Sequence, residues 1–134
     1  MSFIDLRAEY KVYIRSIDFE HEVIASLANS IHEYALNNDR SSISSGLNKL
    51  LEVFENHFEN EERLMKENKY PGYFTHKLEH DRFYNQFLKT IHKFEKEEEP
   101  LDSNELLGLR RWFFNHIDIN DRKCGQYLID KGIS

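Results

Sequence analysis

Residues 43–64, ISSGLNKLLEVFENHFENEERL, determine how this chain folds. Their interior-type residues recur in alternating steps of four and three, at Ile43, Leu47, Leu50, Phe54, His57, Glu61 and Leu64. This spacing places one side chain per turn on a single helix face, which is buried when the helix packs against others. The same face carries a histidine and a glutamate, which a purely structural core would avoid because an unpartnered polar group is costly to bury.

Similar stripes lie on both sides of this stretch. They comprise Ile17, His21, Ile24, Ala28, Ile31 and Ala35; Tyr73, His76, His80, Phe83, Phe87, Thr90 and Phe94; and Leu106, Leu109, Phe113 and His116. Residues 37–42, NNDRSS, supply turn and capping residues, and Pro71 and Gly72 break the chain before the third stripe. The run KEEEP at 96–100 is typical of a solvated helix end, and the spacing of Asp102 and Glu105 predicts the cap of a fourth helix.

These four stripes predict an all-α fold, an up-down-up-down four-helix bundle with short connections. The sequence contains no alternating strand pattern, internal repeat or low-complexity segment. Residues 1–134 are expected to form one domain, because this length suits a single compact core. Residues 1–16 would form an N-terminal arm, and an amphipathic segment around Tyr127 and Leu128 would form a short C-terminal helical tail.

The composition excludes several classes of partner. The formal net charge is −6, and no cluster of Lys and Arg marks a nucleic-acid or anionic-membrane surface. No run of about 18 apolar residues could span a bilayer, and Asp5, Arg7 and Glu9 interrupt the start where a secretory signal needs an apolar core. Cys124 is the only cysteine, which excludes an internal disulfide and fits a reducing compartment. We therefore expect a cytoplasmic protein with no nucleic-acid or membrane partner.

Six ionisable residues occupy inward-facing positions, where they need compensating partners. They are His21, His57, Glu61, His76, His80 and His116. In an up-down-up-down bundle the starts of odd helices lie beside the ends of even helices, and all six residues meet at that end. Positions 57 and 61, like positions 76 and 80, are four residues apart and share one helix face. The sequence therefore predicts a metal-binding cavity at this end.

Asp121 is a seventh candidate ligand. It follows His116 by five residues, a rotation of about 140° along an α-helix, so it reaches the cavity only if the helix loosens or the carboxylate swings inward. Imidazole suits iron, zinc and copper, whereas carboxylates can bridge two ions. Seven ligands exceed what one tetrahedral zinc needs, and they suit two irons bridged by Glu61 and Asp121. Two carboxylates and a bridging hydroxide would leave the site nearly neutral, which makes its burial tolerable.

Four motifs resemble those of the hemerythrin family, especially the bacterial hemerythrins. They are IDFEH around His21, HFENEERLM from His57, the stretch YPGYFTHKLEHDRF, and HIDIND from His116. The joint pattern of H, HFxxEE, HxxxH and HIxxxD covers essentially the whole chain and is highly specific, although each fragment alone is weak. The resemblance implies a protein that binds dioxygen reversibly at a non-haem di-iron centre, for oxygen storage, delivery or buffering, and that is not an enzyme.

The resemblance also implies a role for each candidate residue. His76, His80 and His116 would bind one iron, His21 and His57 would bind the other, and Glu61 and Asp121 would bridge the two irons together with an oxo or hydroxo group. Dioxygen would bind at the open position of the two-histidine iron. The implied oxygen pocket, whose residues would keep water from the site, consists of Ile24, Phe58, Trp112, Ile117 and Cys124.

This sequence departs from the family pattern at three positions, none of which is a ligand. Ile24 stands where leucine is common, which is a mild change of shape. Cys124 stands where many members have tyrosine, and its smaller, oxidisable side chain bears on pocket size and autoxidation. Near the start, Leu6 replaces a frequent tryptophan.

Two other functions are compatible with parts of the sequence, and a third lacks its motif. HKLEH, residues 76–80, matches the HxxEH signature of inverted zinc peptidases, with Glu79 as the base, but this leaves the remaining histidines unexplained. A ferritin-like oxidase needs Glu-x-x-His motifs, and no histidine here has glutamate three residues before it. An oxygen or redox sensor that signals to a protein partner would have the same metal site as a carrier. His32 and His92 lie off the stripes and are expected at the surface without a metal role.

Overall fold

The computed structural model describes residues 2–97 and 100–134. The main helices are α1 (Arg15–Leu36), α2 (Arg40–Glu67), α3 (Tyr73–Glu97), α4 (Ser103–His116) and α5 (Arg122–Asp130). A π-helical segment, Ile117–Asp121, joins α4 to α5 without a break, and a 3-10 turn, Ala8–Tyr10, precedes α1. The described residues include no strand. The predicted four-helix bundle with a short C-terminal helix is therefore confirmed.

Short connections make consecutive helices antiparallel. Residues 37–39 join α1 to α2, and residues 68–72 join α2 to α3. The second helix packs along both of its neighbours, and Arg40 at its start donates a hydrogen bond to the carbonyl of Phe94, near the end of α3, at 2.8 Å. The start of α2 thus lies beside the end of α3, as the up-down-up-down arrangement requires.

Local signals determine where the helices begin and turn. The carboxylate of Asp102 caps α4 by accepting a hydrogen bond from the backbone of Asn104 at 2.9 Å, so the cap predicted at Asp102 is confirmed. Gly72 is required in the turn before α3, because a Cβ there would lie 2.8 Å from the Tyr70 ring. Of the acidic run predicted to end α3, Glu98 and Glu99 lie outside the described residues.

The N-terminal segment packs onto the bundle instead of extending from it. Ile4 is buried, and its backbone N–H and C=O pair with the side chain of Asn29 at 2.6 and 3.0 Å. The ring of Phe3 stacks on His32 at 4.4 Å between centroids. His32 is consequently half-buried at the surface, whereas His92 is exposed as predicted.

Aromatic packing joins the third and fourth helices. Phe83 of α3 stacks on Trp112 of α4 with 3.9 Å between ring centroids, and Phe54 of α2 meets Phe83 edge-on at 4.7 Å. These rings form a core layer directly beside the predicted metal-binding end. None of the helices in residues 2–97 and 100–134 has an apolar stretch of the length that a bilayer span needs.

Candidate metal centre

The seven predicted ligands converge at one end of the bundle, and each has at most 4% of its surface exposed. They are His21 from α1; His57 and Glu61 from α2; His76 and His80 from α3; His116 from α4; and Asp121 from the π-helical segment. Burial on this scale removes seven ionisable groups from water, which requires strong mutual compensation or bound cations.

The seven residues form two overlapping groups. One group contains Glu61, His76, His80, His116 and Asp121, and the other contains His21, His57, Glu61 and Asp121. Within each group, one ligand atom per residue lies within 4.8 Å of all the others. Glu61 and Asp121 belong to both groups, so two neighbouring cations could share their carboxylates.

In the three-histidine group, the Nε2 atoms face one another. Nε2 of His116 lies 3.2 Å from Nε2 of His76 and 3.0 Å from Nε2 of His80. Nε2 of His76 also lies 3.0 Å from Oδ1 of Asp121, and Nε2 of His80 lies 3.2 Å from Oε1 of Glu61. Nitrogen and oxygen donors that point at a common centre in this way are suited to a transition-metal ion.

In the two-histidine group, the donor atoms are close but poorly paired. Nε2 of His21 lies 3.0 Å from Oδ2 of Asp121, yet neither atom has a hydrogen-bond partner. Nε2 of His57 lies 3.5 Å from Oε2 of Glu61, and this oxygen is likewise without a hydrogen bond. Buried polar atoms are normally satisfied. Buried nitrogen and oxygen atoms that lack a hydrogen bond are therefore consistent with a site that binds a metal ion.

The charges of the carboxylates and histidines are mutually dependent. Burial and the neighbouring Asp121 would raise the pKa of Glu61, but attraction to His76, His80 and His57 lowers it to about 2. Burial would lower the pKa of His76, but hydrogen bonds with Asp121, Cys124 and Glu61 raise it to about 12. The metal-free site thus contains an anionic Glu61 and a protonated His76, and an incoming cation replaces that proton.

The π-helical segment brings Asp121 into the site. Asp121 follows His116 by five residues, and the segment Ile117–Asp121 has the wider turn of a π-helix. A π-bulge absorbs one extra residue per turn, so the two side chains face the same cavity. The helix loosens here, which is one of the two routes by which the sequence allowed Asp121 to reach the ligands.

Aromatic rings cover the three-histidine group. The ring of Phe58 stacks on His80 with 4.0 Å between centroids and 11° between planes, and half-buried Trp112 stacks on His116 at 4.5 Å and 11°. Ile24, Ile117 and Cys124 are fully buried. The thiol of Cys124 interacts with His76, and burial raises the pKa of this thiol. These five residues were predicted to line an oxygen pocket, and that role stays a prediction.

Two carboxylates next to the ligands were missed by sequence reasoning. Oε1 of Glu20 lies 2.8 Å from Nδ1 of His57, and Oε2 of Glu62 lies 2.8 Å from Nδ1 of His80. Both glutamates stand inside the motifs IDFEH and HFENEERLM. The available signal was their position beside a ligand, since adjacent helix residues point about 100° apart and can face a neighbouring helix.

Neither ligand group contains Glu79, the base in the zinc-peptidase alternative. Glu79 instead lines a surface groove between α3 and α4, together with Arg82 and Gln86. A base must lie within hydrogen-bonding distance of the metal-bound water that it activates. The position of Glu79 therefore disfavours the peptidase alternative.

Comparisons with known proteins agree with this arrangement. Residues 12–128 match the family described as the Hemerythrin HHE cation binding domain. The chain is 29% identical to the bacteriohemerythrin of Methylococcus capsulatus, with 90% of this chain and 92% of the relative covered. It is 32% identical to the myohemerythrin of Sipunculus nudus, with 85% and 84% covered.

The structure also superposes on solved hemerythrins. A crystal structure of wild-type hemerythrin matches with a TM-score of 0.89 and 26% identity, covering 95% of this chain and 98% of the other. The match thus extends over the whole bundle, including the end where the histidines and carboxylates meet. The chain belongs to the hemerythrin family, whose members bind oxygen and iron.

Proposed function

We propose that this protein binds dioxygen reversibly at a pair of non-haem iron ions. His76, His80 and His116 would hold one ion, His21 and His57 the other, and Glu61 and Asp121 would bridge both, together with an oxo or hydroxo group. A ferrous pair would supply electrons to dioxygen on binding, and the electrons would return to the iron on release.

The observation that carries this proposal is the pair of overlapping ligand groups that share Glu61 and Asp121. A single tetrahedral zinc would use four donors and leave several buried histidines without a partner. Two ions use all seven residues, and one group then has one histidine fewer than the other. That difference supports an open coordination position on the two-histidine side, which is where a small ligand would bind.

The surrounding side chains would protect the bound state from water. Ile24 and Ile117 are fully buried, and Phe58 and Trp112 lie flat against imidazole rings of the site. An apolar enclosure stabilises a neutral diatomic guest and excludes bulk water, which would otherwise promote oxidation of the iron. We include Cys124 in this enclosure. Five imidazoles and two carboxylates would fill most coordination positions of two ions, so we propose binding of a diatomic molecule without turnover.

The direct test is metal analysis combined with the visible spectrum. Protein loaded anaerobically with ferrous iron should contain two irons per chain, gain colour in air and lose it on degassing, through repeated cycles. Fewer than two irons, or a colour that never reverses, would contradict the proposal. A content of one zinc with peptidase activity would instead support the HxxEH alternative around Glu79.

The biological use of this binding would be storage, delivery or buffering of oxygen in the cytoplasm. The single buried cysteine, Cys124, favours a reducing compartment. A sensor that acts through a partner protein would use the same site. A pull-down from lysate with and without oxygen separates the two, because a sensor should exchange partners when oxygen is added and a carrier should not.

A further inference from the structure

Two glutamates outside the ligand set each contact the far nitrogen of one candidate ligand. Oε1 of Glu20 lies 2.8 Å from Nδ1 of His57, and Oε2 of Glu62 lies 2.8 Å from Nδ1 of His80. His57 and His80 belong to different ligand groups. Each ligand group therefore contains one histidine whose Nδ1, the nitrogen on the side away from the site, contacts a carboxylate.

These contacts determine which nitrogen is free to bind a metal. A carboxylate accepts a hydrogen bond, so Nδ1 of each imidazole must carry the proton. In the neutral ring, Nε2 is then left with its lone pair directed into the site, where it faces Glu61 in both groups. The glutamates thus select the tautomer that binds a metal, and their negative charge makes the ring a stronger electron donor.

Each contact also joins two helices. Glu20 lies on α1 and its histidine on α2, whereas Glu62 lies on α2 and its histidine on α3. Asn60 donates a second hydrogen bond to Oε1 of Glu20 at 3.0 Å, and the ammonium of Lys77 lies 3.8 Å from Glu62. The side chains of both glutamates are mostly buried, with 24% and 17% exposed. Glu20 and Glu62 therefore each have a second polar contact besides the histidine.

The arrangement is selective among the five histidines. Within the described residues, Nδ1 of His21, His76 and His116 has no hydrogen-bond partner, whereas His57 and His80 each have a carboxylate. With Glu61 and Asp121, the two outer glutamates bring four negative charges to the centre. This negative charge helps to compensate two buried cations and favours their burial together.

We propose that Glu20 and Glu62 are positioning residues of the metal centre, one for each ion. They orient His57 and His80 and fix the tautomer of each ring. Each also stabilises the oxidised state of the iron that its histidine would bind. This inference rests on the proposed di-iron function and extends it from the ligands to the residues that tune them.

The experiment compares glutamine and alanine variants with matched controls. Glu20→Gln and Glu62→Gln keep an acceptor oxygen but remove the charge, whereas Glu20→Ala and Glu62→Ala remove both. Glu22→Gln and Glu59→Gln remove the same charge from exposed positions on the same helices. Metal affinity is measured by competition with a chromophoric chelator, and the midpoint reduction potential by spectroelectrochemistry on the iron-loaded protein.

We expect the alanine variants to bind metal about 10–100-fold more weakly than the wild type, which is the usual effect of losing such a partner. The glutamine variants should lose less affinity but have a higher midpoint potential, because the ferric state loses a nearby negative charge. The two control variants should match the wild type in both measurements. A purely structural role would not move the potential of a glutamine variant that keeps its helical content.

The outcomes also separate this inference from the function on which it rests. A wild-type protein that fails to bind two irons contradicts the proposed function, whatever the variants do. If the wild type binds two irons and a glutamine variant has the affinity and potential of its control, the role of that glutamate is overturned. Should an alanine variant fail to fold, the glutamine variant of the same residue decides.

Discussion

Nε2 of His21 lies 3.0 Å from Oδ2 of Asp121, although one residue stands near the start of α1 and the other closes the π-helical segment. Both side chains are almost fully buried, and neither of these atoms has a hydrogen-bond partner. The first helix and the π-helical segment that follows α4 therefore contribute to the same site. This contact requires an antiparallel bundle with a local change of helical pitch.

The first prediction concerns that change of pitch. An alanine inserted between Asp118 and Ile119 should turn Asp121 away from the ligands by about 100° and also displace Leu128 from the core. We expect loss of metal binding and destabilisation by about 2 kcal/mol from the exposed leucine alone. Metal content and thermal unfolding measure the two effects.

Deletion of Ile119 is the control for this insertion. Ile119 is 67% exposed, and its removal places Asp121 four residues after His116, which in a regular α-helix lie on one face. We expect the deletion variant to keep its helices and to retain more metal than the insertion variant. Equal metal content in the two variants would contradict this account of the π-helical segment.

The same segment shows what the spacing of buried residues in the sequence can and cannot predict. After His116, the residues Asp121, Cys124 and Leu128 are buried in steps of five, three and four, and Ile117 and Gly125 are buried beside them. Steps of three and four predict a continued α-helix, but a step of five fits either a loosened helix or a residue off the stripe. Sequence spacing could name Asp121 as a candidate only, because the choice depends on what the carboxylate meets inside the folded bundle.

Contacts between helices are the other feature that the spacing of residues along one helix could not predict. Glu20 and Glu62 lie beside the inward stripes, in positions that a helical wheel assigns to the flank. Whether a flanking glutamate reaches a histidine of the next helix depends on the crossing angle and spacing of the helices. His32 has a similar explanation, since it becomes half-buried only because Phe3 folds back over it.

The second prediction tests a ligand against an off-site histidine. His116→Ala should remove an iron and abolish reversible oxygen binding, because His116 is one of three imidazoles around one predicted ion. His92→Ala should leave both unchanged, since His92 is exposed and belongs to neither ligand group. Iron content and the oxygen-dependent spectrum are the measurements. An unchanged iron content in His116→Ala would remove it from the ligand set.

A larger defect is expected from Glu61→Ala. This change removes one of the two shared carboxylates and leaves both cations with less compensating charge. Retention of two irons in Glu61→Ala would show that Glu61 is not a bridge.

The third prediction is that metal uptake releases protons. In the metal-free protein, hydrogen bonds with Asp121, Cys124 and Glu61 outweigh burial and raise the pKa of His76 to about 12, so this ring is protonated at neutral pH. Its protonation stabilises the metal-free fold below pH 6.5, and that contribution is lost as the pH rises through about 12. A metal ion must displace this proton, so apparent affinity should fall as the pH is lowered. Titration calorimetry in two buffers of different ionisation enthalpy should give different heats; identical heats would exclude proton release.

The fourth prediction concerns pH and stability at the opposite end of the bundle. Glu95 of α3 accepts hydrogen bonds from Ser44 and Asn48 of α2 at 2.6 and 3.0 Å, and these bonds lower its pKa. A lowered pKa stabilises the fold above the ordinary value of 4.5, and this contribution is lost as the pH falls through the lowered pKa. Glu95 is largely exposed, so the effect should be small.

Glu95→Gln should therefore destabilise the metal-free protein slightly at pH 7, and the difference from wild type should shrink as the pH falls below 4.5. Denaturant unfolding at a series of pH values measures this difference. In a Ser44→Ala, Asn48→Ala background the same substitution should have little effect at any pH. A difference that grows towards low pH would contradict the assignment.

The fifth prediction compares two aromatic rings that differ in what they touch. Phe58 stacks on His80 of the site, whereas Phe83 stacks on Trp112 and contacts none of the five histidines through its ring. Both are buried, so Phe58→Leu and Phe83→Leu should each destabilise the fold by about 1–2 kcal/mol.

Only Phe58→Leu opens space directly beside a candidate ligand, and water that enters there should speed the irreversible oxidation of iron. The autoxidation rate of the oxygenated protein should therefore rise in Phe58→Leu well beyond its value in Phe83→Leu. If both variants oxidise at the same rate, loss of core stability explains the change, and Phe58 has no specific part in excluding water from the metal centre.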